Sequence, residues 1–276
     1  PTIGYSGIAG QFTVSHPHWG VTETWISPLL SKGYYKAGYI DGVSAGSLAV
    51  TAINPVLQGA LVADLYTGER QAALAQVATG TGGAQTTPDE LPSGGSLTIN
   101  LKTADGATHA LAVVLDSGVS DVLGANFTLG TTLTLPTNMA GLATVTYSTE
   151  ALTASQLGAI TIKGATDLSM AEGAVLAVRP GGSITLTNVS TIDGTLTAHA
   201  GSIALTGYAY NASSPPLTTA LTIGSTAVLD VSGLWVNDSG LSGDALQGSA
   251  YINGGSISLV TYKDSVEVGH VTNADG

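Results

Sequence analysis

The chain has 276 residues, of which 43% are hydrophobic and 9% charged, with 37 Gly and no Cys. Disordered chains are rich in charge and poor in β-branched residues, so this Thr-, Val- and Gly-rich composition argues against disorder and for short strands joined by turns. Seven Lys and Arg against 19 Asp and Glu give a net charge of −12, which opposes nucleic acid and anionic lipid, and without cysteine there are no disulfides or thiolate metal sites.

The first ninety residues are the aromatic-rich part. Trp19, Trp25, Tyr34, Tyr35 and Tyr39 fall here, and Ala45-Gly46-Ser47-Leu48-Ala49-Val50 is the first glycine-led alternation. We read residues 1–90 as irregular early coils with aromatic-rich loops. Residues 69–77, around Gln71-Ala72-Ala73-Leu74-Ala75-Gln76, are the best helix candidate, at about two turns.

Residues 91–276 read as a shaft of short strands. Leu97-Thr98-Ile99-Asn100-Leu101, Leu133-Thr134-Leu135, Ala143-Thr144-Val145-Thr146-Tyr147, Ile160-Thr161-Ile162 and Val175-Leu176-Ala177-Val178 alternate apolar with polar. Ile184-Thr185-Leu186, Leu196-Thr197-Ala198, Ile203-Ala204-Leu205, Val228-Leu229-Asp230-Val231 and Ile257-Ser258-Leu259-Val260 continue the series. Period-two alternation marks half-buried strands. Turn strings separate them, among them Asp105-Gly106, Pro180-Gly181-Gly182, Asp193-Gly194 and Asn253-Gly254-Gly255.

A Gly-Ser-apolar-x-apolar phrase recurs at Gly46, Gly95, Gly182, Gly201 and Gly255, with a weaker echo at Gly194. Gly182 and Gly201 lie 19 residues apart, about one coil of a solenoid. Strands of a sandwich face different neighbours and have no reason to repeat a phrase, whereas stacked parallel coils place like residues over like. The expected fold is therefore all-β, a right-handed parallel β-helix with extruded loops at residues 80–95 and 211–216. Ile184, Leu186, Ile203 and Leu205 should form a core stack. At twenty to twenty-five residues per coil the chain would make about a dozen coils, a rod of roughly 55–60 Å. The longest apolar runs, such as residues 110–115, are too short to span a bilayer. Both ends read as cuts through a longer array, with any export signal elsewhere.

Three stretches carry a family resemblance: GYYKAGYIDGVSAGSLAVTAINPVLQGALVADLYTGERQ at 33–71, GGSITLTNVSTIDGTLTAHAGSIALTG at 181–207, and IGSTAVLDVSGLWVNDSG at 223–240 leading to YINGGSISLVTYKDSVEVG at 251–269. In order, they resemble the internal shaft of filamentous haemagglutinin-like adhesins, exoproteins of two-partner secretion; the fit is weakest at 80–160. The family's secretion domain is not recognisable, and Asn54-Pro55 stands outside its context. The resemblance implies a β-helix secreted by, or held on the outer surface of, a Gram-negative bacterium. It further implies an outer-membrane partner transporter and a role in attachment or aggregation.

Motifs that suggest chemistry read more simply as structure. Gly42-Val43-Ser44-Ala45-Gly46 matches the nucleophile elbow in form, but a strand pattern follows Ser44 where the elbow needs a helix. His16-Pro17-His18 lacks a third ligand until Glu23, and His109, His199 and His270 stand alone. The acids at Asp105, Asp116, Asp121, Asp167, Asp193, Asp230, Asp238 and Asp244 scatter into turns, and Arg70 and Arg179 are the two arginines. A polysaccharide-cleaving site would want paired carboxylates. Asn126, Asn188, Asn211 and Asn237 begin Asn-x-Ser/Thr triplets, which are frequent by chance in a Ser/Thr-rich chain and, in some relatives of this secretion class, carry glucose.

The expected function is non-enzymatic: an adhesive and structural shaft, with no catalytic residue, cofactor or metal. Its candidate contacts with surface glycans or proteins are His18, Trp19, Tyr34, Tyr35, Tyr208, Tyr210 and Trp235, exposed on loops. End-to-end self-association into an extracellular fibre or sheath is one alternative, since open β-helix ends invite stacking. A β-helical polysaccharide-degrading enzyme is the other.

Overall fold

A computed structural model describes residues 10–26, 42–68, 92–102, 111–118, 123, 128, 134–139, 141–207, 220–240, 251–261 and 265–269. The chain divides into two compact units, Pro1–Asp41 and Gly42–Gly276.

In the first unit, β1 (Gln11–His16) and β2 (Val21–Ile26) form an antiparallel hairpin, with Phe12 opposite Trp25 and His16 opposite Val21. Pro17 and Gly20 shape the connecting turn, where Gly20 takes a left-handed φ of 64° that suits a residue without Cβ. Residues 11–26 are thus a self-paired hairpin and not a solenoid coil.

The second unit is a right-handed parallel β-helix. Its first sheet contains β3 (Ser47–Ala52), β4 (Ser96–Leu101), β7 (Ala159–Lys163), β10 (Ser183–Thr187), β13 (Ser202–Thr206) and β16 (Ser256–Val260), stacked in that order. The second stacks β6 (Ala143–Ser148), β5 (Leu111–Asp116), β8 (Asp167–Met170), β11 (Val189–Ile192), β14 (Leu221–Ile223) and β17 (Val266–Val268). A third, shorter sheet holds β9 (Val175–Ala177), β12 (Thr195–Thr197) and β15 (Val228–Asp230).

Register follows the repeated phrase residue by residue. Ser183 pairs with Ser202, Ile184 with Ile203 and Leu186 with Leu205, and the column continues to Ile257 and Leu259 above and to Ile160 and Ile162 below. Ile184, Leu186, Ile203 and Leu205 are fully buried in the core that joins the sheets. Burying each side chain of this size contributes about 1.5–3 kcal/mol, which fixes the register because a one-residue slip would turn the whole column outward.

Among the described residues the first sheet has six rungs, where even spacing suggests about a dozen coils for the whole chain. Only β7 to β10 and β10 to β13 are separated by single coils of ordinary length; the other rungs are spaced by long insertions. The echo at Gly194 also has a different meaning. Gly194 leads into β12 of the third sheet, so Thr197 does not align with Thr185, whose partner is Ala204. Thr134 and Leu135 lie outside any strand.

One strand breaks the sequential order. β6 pairs in parallel beneath β5, on the level of β3, before the chain climbs to β7. The helix α1 (Thr149–Ala154) follows directly, with Ser148 accepting the Ala151 N–H as N-cap and Glu150 in the first turn. It lies against β9: Thr153 Oγ1 donates to the Val175 carbonyl (3.2 Å) and accepts the Ala177 N–H (2.9 Å). A side chain thereby satisfies the backbone edge of the third sheet, which would otherwise be an unpaired template. The sequence offered a helix at 69–77, outside the described residues, and not this one.

The base of the core is closed by residues 53–63. Ala63 is buried there, Leu57 and Leu61 pack against the core, and the Tyr147 hydroxyl donates to the Pro55 carbonyl at 2.7 Å. At the other end, Ile257 is 42% and Val268 44% exposed although both lie on core columns.

Candidate contact surface

The recurring glycines share one corner, where the chain enters the first sheet. The Ser96 N–H donates to the Gly46 carbonyl, Ala159 to Gly95, Ser183 to Gly158, Ser202 to Gly182 and Ser256 to Gly201, at 2.8–3.0 Å. A Cβ on Gly182, Gly201 or Gly255 would overlap the carbonyl of the rung below. Close backbone approach, and not an unusual dihedral, is therefore what demands glycine at these three positions. Gly158, which the repeated phrase did not flag because alanine follows it, belongs to the same line.

The opposite corner, between the first and second sheets, uses left-handed residues. Gly164 (φ 83°) and Asn188 (φ 60°) turn successive coils there, and the Asn188 amide donates to the Ala165 carbonyl at 2.6 Å. That Asn-x-Ser triplet is thus engaged with the coil below. Asn237 accepts from both the backbone and the hydroxyl of Ser239, while Asn126 and Asn211 lie outside the described residues.

Because the glycine corner lacks side chains, a groove of about 520 Å³ opens along it. Gly94, Gly158 and Gly182 form its floor, and Arg179 and Tyr251 its most functional walls. Arg179 Nε donates to the Gln156 carbonyl at 2.9 Å, and the Arg179 backbone is bonded on both sides, to Leu157 and Gly182. The Tyr251 ring sits where a Cβ on Gly181 would be. Among the described residues, no acidic side chain lines the groove.

On the same turn face, β12 and β15 bring His199 to Asp230 and Ser232. His199 Nδ1 is 3.2 Å from Ser232 Oγ and 3.8 Å from Asp230 Oδ2, and Asp230 Oδ1 accepts the Ser232 N–H at 2.9 Å. Both contacts fall on one ring nitrogen, whereas a nucleophilic triad needs serine and carboxylate on opposite nitrogens. The cluster locks a turn. Hydrogen bonds from Ser232, and then the nearby His199, hold the Asp230 carboxyl below its ordinary range.

Among the projected contacts, His18 and Trp19 occupy the hairpin turn. Trp19 is 75% exposed and rests between His16 (ring centroids 5.9 Å) and His18 (6.0 Å, edge-on). Glu23 crosses the hairpin to within 3.8 Å of His16 Nε2, and Phe12 stacks on Trp25 at 6.5 Å. Among the described residues no three metal-ligating side chains converge. Trp235 is 85% exposed beside Leu234, whose N–H donates to the Tyr251 carbonyl. Tyr34, Tyr35, Tyr208 and Tyr210 lie outside the described residues, as do His109 and His270. Ser44 Oγ accepts the Ser93 N–H and is followed by β3, so the elbow-like motif is a turn entering a strand.

Sequence reading passed over Arg179, Tyr251 and the His199–Asp230–Ser232 group. A signal existed for the first two: Arg179 stands three residues before Gly182 and Tyr251 four before Gly255, so aligning the repeat places both just upstream of the same corner.

These features define a parallel β-helix solenoid with a glycine-floored groove and an exposed Trp235, and a separate hairpin that exposes Trp19. Comparison with protein-family models, with curated proteins and with solved structures finds no match.

Proposed function

We propose that the chain is a structural and adhesive module: part of the shaft of a large secreted bacterial surface protein of the haemagglutinin-like kind. The chain attaches cells to surfaces, or to each other, through exposed side chains of the hairpin and of the solenoid. The single observation that carries this reading is the division of labour in the side chains. Apolar residues at alternate positions fill one continuous core, whereas Trp19 and Trp235 stand out at 75% and 85% exposure on segments outside the strands. Large exposed aromatics on a rigid scaffold are the residues that anchor interfaces. Attachment of the protein-coated bead to bacterial and host cells tests it. Trp19→Ala and Trp235→Ala should together reduce attachment at least fivefold with unchanged melting temperature, and undiminished attachment by the double variant overturns the reading.

End-to-end assembly into a fibre has one observation in its favour, the exposure of Ile257 and Val268 on core columns at the β16–β17 edge. Electron microscopy separates the two readings: discrete rods support a shaft module, and long filaments of the isolated chain support a fibre subunit.

A further inference from the structure

We propose that the groove along the glycine corner binds a sugar carrying a carboxylate, at a site separate from the projecting tryptophans and independent of the adhesive reading. The guanidinium of Arg179 carries the argument. Its Nε is tied to the Gln156 carbonyl and its backbone is bonded on both sides, so the group is held in place. Its two terminal nitrogens have no carboxylate partner among the described residues. A fixed guanidinium with its fork open is the geometry that takes a carboxylate bidentately.

The surroundings select the rest of the ligand. In a chain with 19 acidic residues, none of the described residues that line the groove is acidic, so among them the local field favours one negative charge. The net charge of −12 works against a long polyanion approaching from bulk solution. Tyr251 contributes an amphipathic ring, and Thr67, Ser93 and Ser183 bring hydroxyls that can donate and accept. The floor is glycine backbone, which lets a flat ring approach closely. A cation, an aromatic face and several hydroxyls together match an acidic monosaccharide unit better than a peptide terminus. The volume, about 520 Å³, lies within the roughly 300–1,000 Å³ typical of small-molecule sites.

Titration calorimetry of the whole chain with a glucuronate-terminated disaccharide tests this, alongside its methyl ester, a neutral glucose disaccharide and a short peptide with a free C-terminus. The acid should bind at least tenfold more tightly than the ester, the neutral sugar or the peptide. Arg179→Gln should weaken it at least tenfold, and Arg179→Lys, which keeps the charge but loses the fork, by less. Tyr251→Ala, which removes the ring packed over Gly181 but none of the hydrogen bonds of Arg179, should also weaken it at least fivefold, and it serves if Arg179→Gln fails to fold. Equal binding of acid and ester, equal binding of the peptide, or indifference to Tyr251→Ala in a folded protein would overturn the proposal. A chain that binds the disaccharide but does not attach to cells counts against the adhesive reading alone; attachment without disaccharide binding counts against this one alone.

Discussion

Gly201 lies directly over Gly182: the Ser202 N–H donates to the Gly182 carbonyl at 2.9 Å, and a Cβ on Gly201 would occupy the place of that carbonyl oxygen. Two residues that look like loose turn material in the sequence are in fact in close backbone contact between successive coils. Their cost when substituted follows from this contact.

Gly201→Ala should destabilise the solenoid by about 1–3 kcal/mol, the usual range for overpacking, because the obstructing atom is backbone and cannot swing aside. Gly46→Ala is the contrasting case. Nothing lies within 4 Å of a Cβ there, so the change should be neutral or slightly stabilising. Thermal melts of the two variants check the pair, and equal destabilisation would refute the close-approach explanation.

The buried column makes a second prediction. Ile184→Ala removes a fully buried side chain between Ile160 and Ile203 and should cost about 2–5 kcal/mol. Ile257→Ala, at the partly exposed end of the same column, should cost clearly less. Denaturant titrations at matched slope would read the difference directly.

Tyr147 ties β6 to the base segment through the Pro55 carbonyl, and burial pushes its phenol above the usual range. Unfolded tyrosine ionises near pH ~10, so the stabilisation is complete below that value and is lost as pH rises above it. Stability measured by urea unfolding should therefore begin to fall once pH passes about 10 and keep falling as pH rises further. Tyr147→Phe should lower stability at neutral pH by about 1–3 kcal/mol, since it leaves the carbonyl unpaired, and should remove part of the alkaline fall.

Asp230 behaves in the opposite sense. Hydrogen bonds from Ser232 and the neighbouring His199 depress its folded-state pKa, so its contribution is present above the ordinary carboxylate value of about 3.9 and fades as pH falls through the lowered one. Acid titration of the melting temperature should show a drop below about pH 4 that is smaller in Asp230→Asn. Ser232→Ala should also shrink it, because the hydroxyl contact is gone while the backbone contact stays. The same acid drop in Asp230→Asn as in the parent protein would show that the drop comes from other carboxylates.

Much of this architecture was legible because its two strongest physical signals are local and periodic. Alternation at period two marked the strands around Ile184, Ile203 and Ile257, and the recurring glycine marked the corner, since both record a contact each coil repeats. The number of coils was not legible. The chain before β4, β7 and β16 is much longer than one coil, and nothing local marks where the next rung of the first sheet begins.

The position of β6 was equally hidden. Its alternation announces a strand, but pairing beneath β5 instead of above it depends on how residues 53–63, Tyr147 and α1 fill the base together. The candidate sites divide along the same line. Exposed Trp19 and Trp235 follow from aromatic residues in turn-rich stretches, a property of the chain itself. Arg179 meets Tyr251, and His199 meets Asp230 and Ser232, only because stacking folds distant turns onto one face. The sequence by itself determined the strands, the corner glycines and the core columns, because burial and close approach are written into each repeat. Only the tertiary structure decided the rung count, the out-of-order strand and the groove, because each depends on which coil lies next to which.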